Sequence, residues 1–424
     1  MMSLQAWADQ AWRAARDAGW DPAECDFQIV PREIVWAAMA APLPGGPPHW
    51  TQGRDYWVWR QHFEQGGGHL YEVVYPGTPC LAYLDGANAP ATQEVVILHV
   101  LGHCDLFAHH RAYTDHQRGW GALWQAGGVR VRAYQDQYGV AAVEQCWSDA
   151  LSLADQVDAA PAPPPAQPVP PAPWADLRAR APRPVRDRVP GAPDPTADVL
   201  GFIGARAPWL APWQRDICGL VRGLALYQAP VRRTKWIQEA FATWTAHRLA
   251  ERVPWSGPAR IQAARDNAGV QWRHPAQLNW YDVGYRLLDW VAATEGEAAV
   301  RAAARAVTDS EAVDRWVTEA SVAALELYTY TWQARGDEAV AVRQPRDWRT
   351  IRALWQNQMM ERPPRVAVLA VEGSTLVLGW EDPGAPDIDW ARATLAAVQR
   401  LWGGPVRLER PSGPPIYPME GASA

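Results

Sequence analysis

Two histidines four residues apart, His99 and His103 in the segment VVILHVLGH, are the residues of this sequence best suited to chemistry. On a helix they lie about one turn apart on one face, close enough to share one ion. Val95, Val96, Ile97, Leu98, Val100 and Leu101 surround them with apolar side chains, the pattern of a buried helix. Burial disfavours the imidazolium and leaves neutral rings, the form in which histidine binds a metal.

A zinc site needs at least one more protein ligand, and a glutamate from a separate helix serves in one large class of zinc peptidases. The segment TKWIQEAFATWTAHRLA offers Glu239, whose helical face carries Ala242, Thr243, Ala246 and Ala250. Small side chains there let another helix approach closely. Where a zinc peptidase carries its general-base glutamate, directly after the first histidine, stands Val100, which cannot accept a proton. Asp105, His247 and Tyr281 are the candidates for that catalytic role. The same residues admit a plainer account, in which the histidine pair is core packing and Glu239 is a buried partner of an arginine. His109, His110 and His116 read as a solvated polar end of the same helix, since His110 lies ~16 Å beyond His99. Cys80, in the apolar stretch PCLAYL, reads as an inert buried thiol.

The elements that must position these groups follow from pattern. With 424 residues the chain has room for one large domain and a small one. Thirteen prolines between 161 and 195 make an extended connector that divides an N-terminal lobe, 1–160, from a helical lobe, 196–340. Strands are expected at HLYEVVY and PCLAYL, then helices over Thr92–Tyr113 and Gly119–Val157, broken near Gly139. An almost unbroken helical pattern runs from Asp198 to Gln333, with stops near Pro230, Pro254 and Pro275. The last stretch, 341–424, changes to a helix, the strands RVAVLAV and TLVLGW, the helix DIDWARATLAAVQRLW and the strand PVRLER, a small α+β unit.

Composition narrows the function classes. Forty basic against 46 acidic residues give no polybasic footprint for nucleic acid. The opening segment reads as an amphipathic helix rather than a signal peptide, and no run approaches the ~20 apolar residues of a membrane span. Five scattered cysteines without CxxC spacing suit a reducing, cytoplasmic setting. The 26 tryptophans fall mostly at helical spacing among apolar residues and read as core fillers; a glycan-binding role would need several of them exposed in one groove.

Taken in order, HWTQGRDY from His49, YEVVYPGTPCLAYLDGAN from Tyr71, HVLGHCDLFAHH from His99 and the stretch beginning DVLGFIGARAPW at Asp198 resemble the stage V sporulation protein R (SpoVR) family, named for a role in spore cortex formation. RRTKWIQEAFATWTAHR, LNWYDVGYRLLDW and LAAVQRLWGGPVRL continue the likeness. The resemblance implies that His99 and His103 are the family's HxxGH pair, Asp105 its following polar position and Glu239 the glutamate of its NEGWA segment. That segment is similar to the NEGFA of gluzincin aminopeptidases, whose glutamate is the third zinc ligand. Asn279 and Tyr281 match the family's NPY. Here NEGWA is QEAFA, HND is HCD, the paired asparagines are His109 and His110, a glutamate is Gly86, and a C-terminal histidine is Trp380.

The expectation is an α+β, mainly α-helical protein with a zincin-like core drawn from both sides of the connector. It would hold zinc through His99, His103 and Glu239 and act as a metal-dependent hydrolase on a peptide or cell-wall-precursor amide. The alternative is a non-catalytic metalloprotein, or a regulatory protein that binds a protein partner.

Overall fold

The computed structural model describes residues 3–66, 69–157, 197–255, 257–272, 278–336, 338–344, 346–359, 364–381 and 386–418. The proline-rich connector and the expected stop at Pro275 lie outside them. In chain order the elements begin α1 (Leu4–Asp17), β1 (Cys25–Val30), α2 (Arg32–Ala40), α3 (Trp50–Glu64), β2 (Glu72–Tyr75), β3 (Cys80–Asp85), α4 (Pro90–His109), α5 (Asp115–Tyr138) and α6 (Val140–Leu151). They continue with α7 (Val199–Arg206), α8 (Pro212–Arg233), α9 (Lys235–Ala250), α10 (Gly257–Val270), α11 (Trp280–Glu295), α12 (Glu297–Ala304), α13 (Asp309–Trp316) and α14 (Glu319–Ala324). Last come β4 (Tyr330–Arg335), β5 (Glu338–Arg343), α15 (Trp348–Met359), β6 (Val366–Glu372), β7 (Thr375–Trp380), α16 (Ile388–Trp402) and β8 (Val406–Glu409). The described residues are mainly helical with three small sheets, an α+β arrangement.

The chain forms two compact units, each made of two stretches: Met1–Gly128 with Tyr227–Glu361, and Val129–Leu226 with Arg362–Ala424. The first unit therefore draws on sequence from both sides of 161–195. Its centre is α4 packed on α9, with α1 and α11 also against α9. Ile97, Leu98, Leu101, Phe241 and Trp244 fill the space between them and are essentially inaccessible to solvent. Beside this lies the sheet β1-β3-β2, in which β1 runs parallel to β3 and β2 antiparallel. Trp7, Trp20, Trp236, Trp316 and Trp355 are buried in the same core, consistent with tryptophan as filler.

The close approach of α4 and α9 depends on one glycine. A methyl group at Gly102 would stand 2.6 Å from Ala242 Cα and 3.0 Å from Thr245 Cβ. Gly284 does the same for α11, where an added Cβ would meet Ala240 Cβ at 2.4 Å. Asp309 fixes the N-terminus of α9 by accepting from the backbone N–H groups of Trp236 and Ile237 at 3.0 and 2.9 Å, two donors that a helix start leaves unsatisfied.

In the second unit, β6, β7, α16 and β8 form the C-terminal hairpin, helix and strand that the sequence implies, with β7 and β8 parallel and α16 as the crossover. Arg400 on α16 grips Asp149 of α6 with its Nη2 at 2.6 Å and its Nε at 3.0 Å.

Three local expectations are corrected. The helical pattern to Gln333 ends earlier, because Tyr330–Arg335 pairs with Glu338–Arg343 as a hairpin turning at Gly336, φ +65°. The run YTYTW alternates β-branched and aromatic residues and suits a strand. Pro230 does not stop α8, which continues to Arg233. His110 is not solvated: it is 1% exposed, its Nδ1 accepts from the Ala112 N–H and its Nε2 donates to the Val307 carbonyl at 2.9 Å.

Candidate functional site

Gly102 sits one residue before His103, and Ala242 three residues after Glu239, so the contact that lets α4 and α9 touch also brings the two faces together. His99 Nε2 and His103 Nε2 are 3.1 Å apart. Glu239 Oε2 lies 3.4 Å from the first and 3.7 Å from the second. Zinc bonds of 2.0–2.2 Å in a tetrahedron require donor atoms roughly 3.3 Å from one another. The three separations bracket that figure, and two imidazoles with one carboxylate form a donor set suited to zinc.

A fourth side chain belongs to the cluster. Glu72, from β2, places Oε1 3.6 Å from His99 Nε2, and ligand atoms of Glu72, His99 and His103 all lie within 4.8 Å of one another. The sequence signal for it was a lone carboxylate inside the apolar strand LYEVVY. Its pairing opposite Leu84 of β3 is what turns it to this place.

The electrostatics separate the two carboxylates. Burial pushes Glu72 up to about 7 against the pull of His99, with the charge on Glu239 adding to the rise. Burial acts on Glu239 too, but the charges of His103 and His99 and hydrogen bonds from His99 and Tyr281 outweigh it and hold the group at about 2. His103 is driven down to about 4, chiefly by burial, so its ring is neutral at pH 7. For His99, burial pulls downward while the hydrogen bond to Glu239 and the charges of Glu72 and Glu239 pull upward and prevail. His103 stacks on Phe107 with ring centroids 5.7 Å apart, and its Nδ1 is buried without a hydrogen-bond partner.

The three candidates for the catalytic role part company. Tyr281 joins the cluster: it hydrogen-bonds Glu239, and that carboxylate and burial raise its phenol well above the usual range. Asn279 positions it by capping α11, accepting from the Tyr281 N–H at 3.0 Å while its amide donates to the carbonyls of Val270 and Trp272. Asp105 is placed otherwise. It is fully buried against Arg305, whose Nε and Nη2 donate to its two oxygens at 2.9 and 2.6 Å, and it accepts from the Asp21 N–H. His247 meets Gln271 at 3.1 Å and the ring of Tyr285 at 4.5 Å, and burial lowers its pKa. Neither contacts the cluster in this structure. Cys80 is buried beside Cys104 and points its thiol to the Gly77 carbonyl at 3.6 Å.

The cluster opens into a cleft of about 260 Å³ walled by β2, α4, α9, α10 and the start of α11. Glu72, His99 and Tyr281 line it, together with Tyr71, Thr243 and Asp266. No tryptophan among the described residues lines it, so the described tryptophans do not form a stacking groove here.

Fold and site define a mainly helical α+β protein with a buried histidine and glutamate cluster beside a cleft. The chain belongs to the SpoVR family: the family model described as SpoVR like protein matches residues 1–172 and 173–362. The uncharacterized protein YcgB of Escherichia coli (strain K12) is 24% identical over 284 residues, covering 60% of this chain. This chain spans 55% of the length of that relative. No solved structure matches. No helix among the described residues is long and apolar enough to cross a membrane.

Proposed function

We propose that the chain is a metal-dependent hydrolase of peptide or cell-wall-precursor amide bonds, with a zincin-like core in which His99, His103 and Glu239 hold zinc. The observation that carries this reading is the convergence of those three donors, at separations suited to one tetrahedral ion, beside a cleft that His99 lines. Zinc held there would supply Lewis acidity toward a carbonyl oxygen and toward water. The chain's own groups do the rest. Neutral His103 and ionised Glu239 are already in the protonation states of ligands. Glu72, which lines the cleft with Oε1 3.6 Å from His99 Nε2, takes the part that Val100 cannot, accepting a proton from water and returning it to a leaving amine. Tyr281 donates to Glu239 and restrains that carboxylate. The setting belongs to the same proposal, a reducing cytoplasm in which all five thiols stay free.

A second reading is favoured by the tight grouping of Glu72 with both histidines. With Glu72 as a fourth ligand the site would be closed, and the protein a non-catalytic metalloprotein, regulatory or bound to a protein partner.

Elemental analysis of protein purified without added metal tests both. About one zinc per chain is expected, absent from a His99→Ala, Glu239→Ala double variant. Glu72→Gln then separates the readings: as the base it keeps zinc and loses amide hydrolysis, and as a fourth ligand it loses zinc. Wild-type protein that takes up no zinc when supplied with it overturns both.

A further inference from the structure

We propose that the cleft receives a primary ammonium group, and that Asp266 is the residue that recognises it. The inference rests on the reading of the cluster as the site of action and deepens it by assigning the class of ligand.

The charges around the cleft carry the argument. Two carboxylates, Glu72 and Asp266, line it, a third, Glu239, lies at the cluster, and no lysine or arginine is among the described lining residues. A phosphate or carboxylate ligand reaching Asp266 would meet like charge there, which costs binding energy in a partly desolvated site. A divalent ion at the cluster would offset Glu239 and Glu72 and leave Asp266 uncompensated. Asp266 is held rather than neutralised: Thr92 Oγ1 donates to its Oδ2 at 2.8 Å and Gln262 Nε2 to its Oδ1 at 2.9 Å. Both donors are neutral, so neither is a cation that would pair with the carboxylate, and each oxygen keeps a lone pair for a ligand.

An independent observation points the same way. Thr243 lines the cleft one helical turn beyond Glu239, is 4% exposed, and its hydroxyl has no hydrogen-bond partner among the described residues. Buried hydroxyls are rarely left unsatisfied, because the lost hydrogen bond costs about 1–3 kcal/mol. A ligand with N–H groups would satisfy it. Tyr71 and Tyr281 add aromatic faces of the kind that attract a cation. An ammonium ligand has two sources, the free α-amine of a peptide and an amine-bearing side chain.

The test is calorimetric titration of the zinc-loaded and of the metal-free chain with L-leucinamide, Nα-acetyl-L-lysine methylamide and N-acetyl-L-leucinamide. At least one amine is expected to bind roughly tenfold or more tightly than the neutral acetyl amide. Which amine wins identifies the source. Asp266→Asn, a near-isosteric change at a partly buried position, should abolish the preference with the melting temperature and zinc content kept. Thr243→Val, which removes the orphaned hydroxyl without changing shape, should weaken amine binding several-fold. Equal or tighter binding of N-acetyl-L-leucinamide, a preference that survives Asp266→Asn, or no binding by any probe would overturn the proposal. Failure of zinc uptake is a separate result: it removes the hydrolase reading and leaves the amine titrations of the metal-free chain to be read alone.

Discussion

Helix α4 carries two buried polar clusters on nearly opposite sides, and their chemistry is balanced differently. On one side Asp105 is matched by Arg305 and the Asp21 N–H, so a single negative charge meets a single positive one with hydrogen bonds to both oxygens. On the other, two glutamates meet two imidazoles of which His103 is driven neutral, and its Nδ1 has no hydrogen-bond partner. The first cluster is complete without any ligand and faces protein. The second has histidines rather than an arginine facing its carboxylates and opens on a cleft. Asp105 and His103 are two residues apart, about 160° round the helix by the shorter way, so one helix serves a structural ion pair and the proposed metal site without mixing them.

The comparison breaks if Asp105 proves to act in the reactive site. Asp105→Ala removes one partner of a buried pair and leaves Arg305 facing the gap; a loss of about 3 kcal/mol in denaturant unfolding is expected. Zinc content should be unchanged. Loss of zinc in a variant that still folds would join the two clusters.

Gly102→Ala has the next largest effect. The added methyl meets the backbone of Ala242 rather than a side chain that can turn aside, so α4 and α9 must separate. Overpacking of this kind costs roughly 1–3 kcal/mol, and here it should weaken zinc binding as well, since the same contact sets the distance from the histidines to Glu239. Gly121→Ala in α5 is the control. Nothing lies within 4 Å of its added methyl, and replacing a helical glycine with alanine should raise stability by about 0.5–1 kcal/mol.

Much of this was legible in the residues. Helical spacing put His99 and His103 on one face, because a helix face depends only on local periodicity, while joining Glu239 to them rested on the resemblance of QEAFA to the family's NEGWA. Tyr281 was one candidate among three, and the spacing could not rank them. What decides between Asp105 and Tyr281 is Arg305, 200 residues along the chain from Asp105. Glu72 was missed for a related reason. A strand residue's face alternates, but which face looks toward α4 depends on the pairing of β2 with β3 and on how the sheet lies against the helices. β1 was missed as well: CDFQIV is short, and its parallel partner β3 lies 50 residues away across other elements. The C-terminal hairpin, helix and strand were read in order, yet their union with Val129–Leu226 in one unit was not, since that rests on contacts such as Arg400 with Asp149.

The finest test lies within the reactive cluster, where the two glutamates have opposite linkage in the metal-free chain. Glu72 rises from 4.5 to about 7 on folding, so the folded state binds the extra proton between those values. Its contribution is fully present below pH ~4.5 and is lost as pH rises through about 7, at no more than about 1.4 kcal/mol per pH unit for one proton. Glu239 falls from 4.5 to about 2, so its contribution is present above pH ~4.5 and is lost as pH falls toward 2. Denaturant melts across pH 3 to 8 on chelated protein should therefore show Glu72→Gln flattening the decline between pH 5 and 7, and Glu239→Gln losing stability at neutral pH while flattening the acid limb. If both variants moved the same limb in the same direction, the two carboxylates would be sharing one environment, and the division between a ligand and a base within the cluster would have to be abandoned.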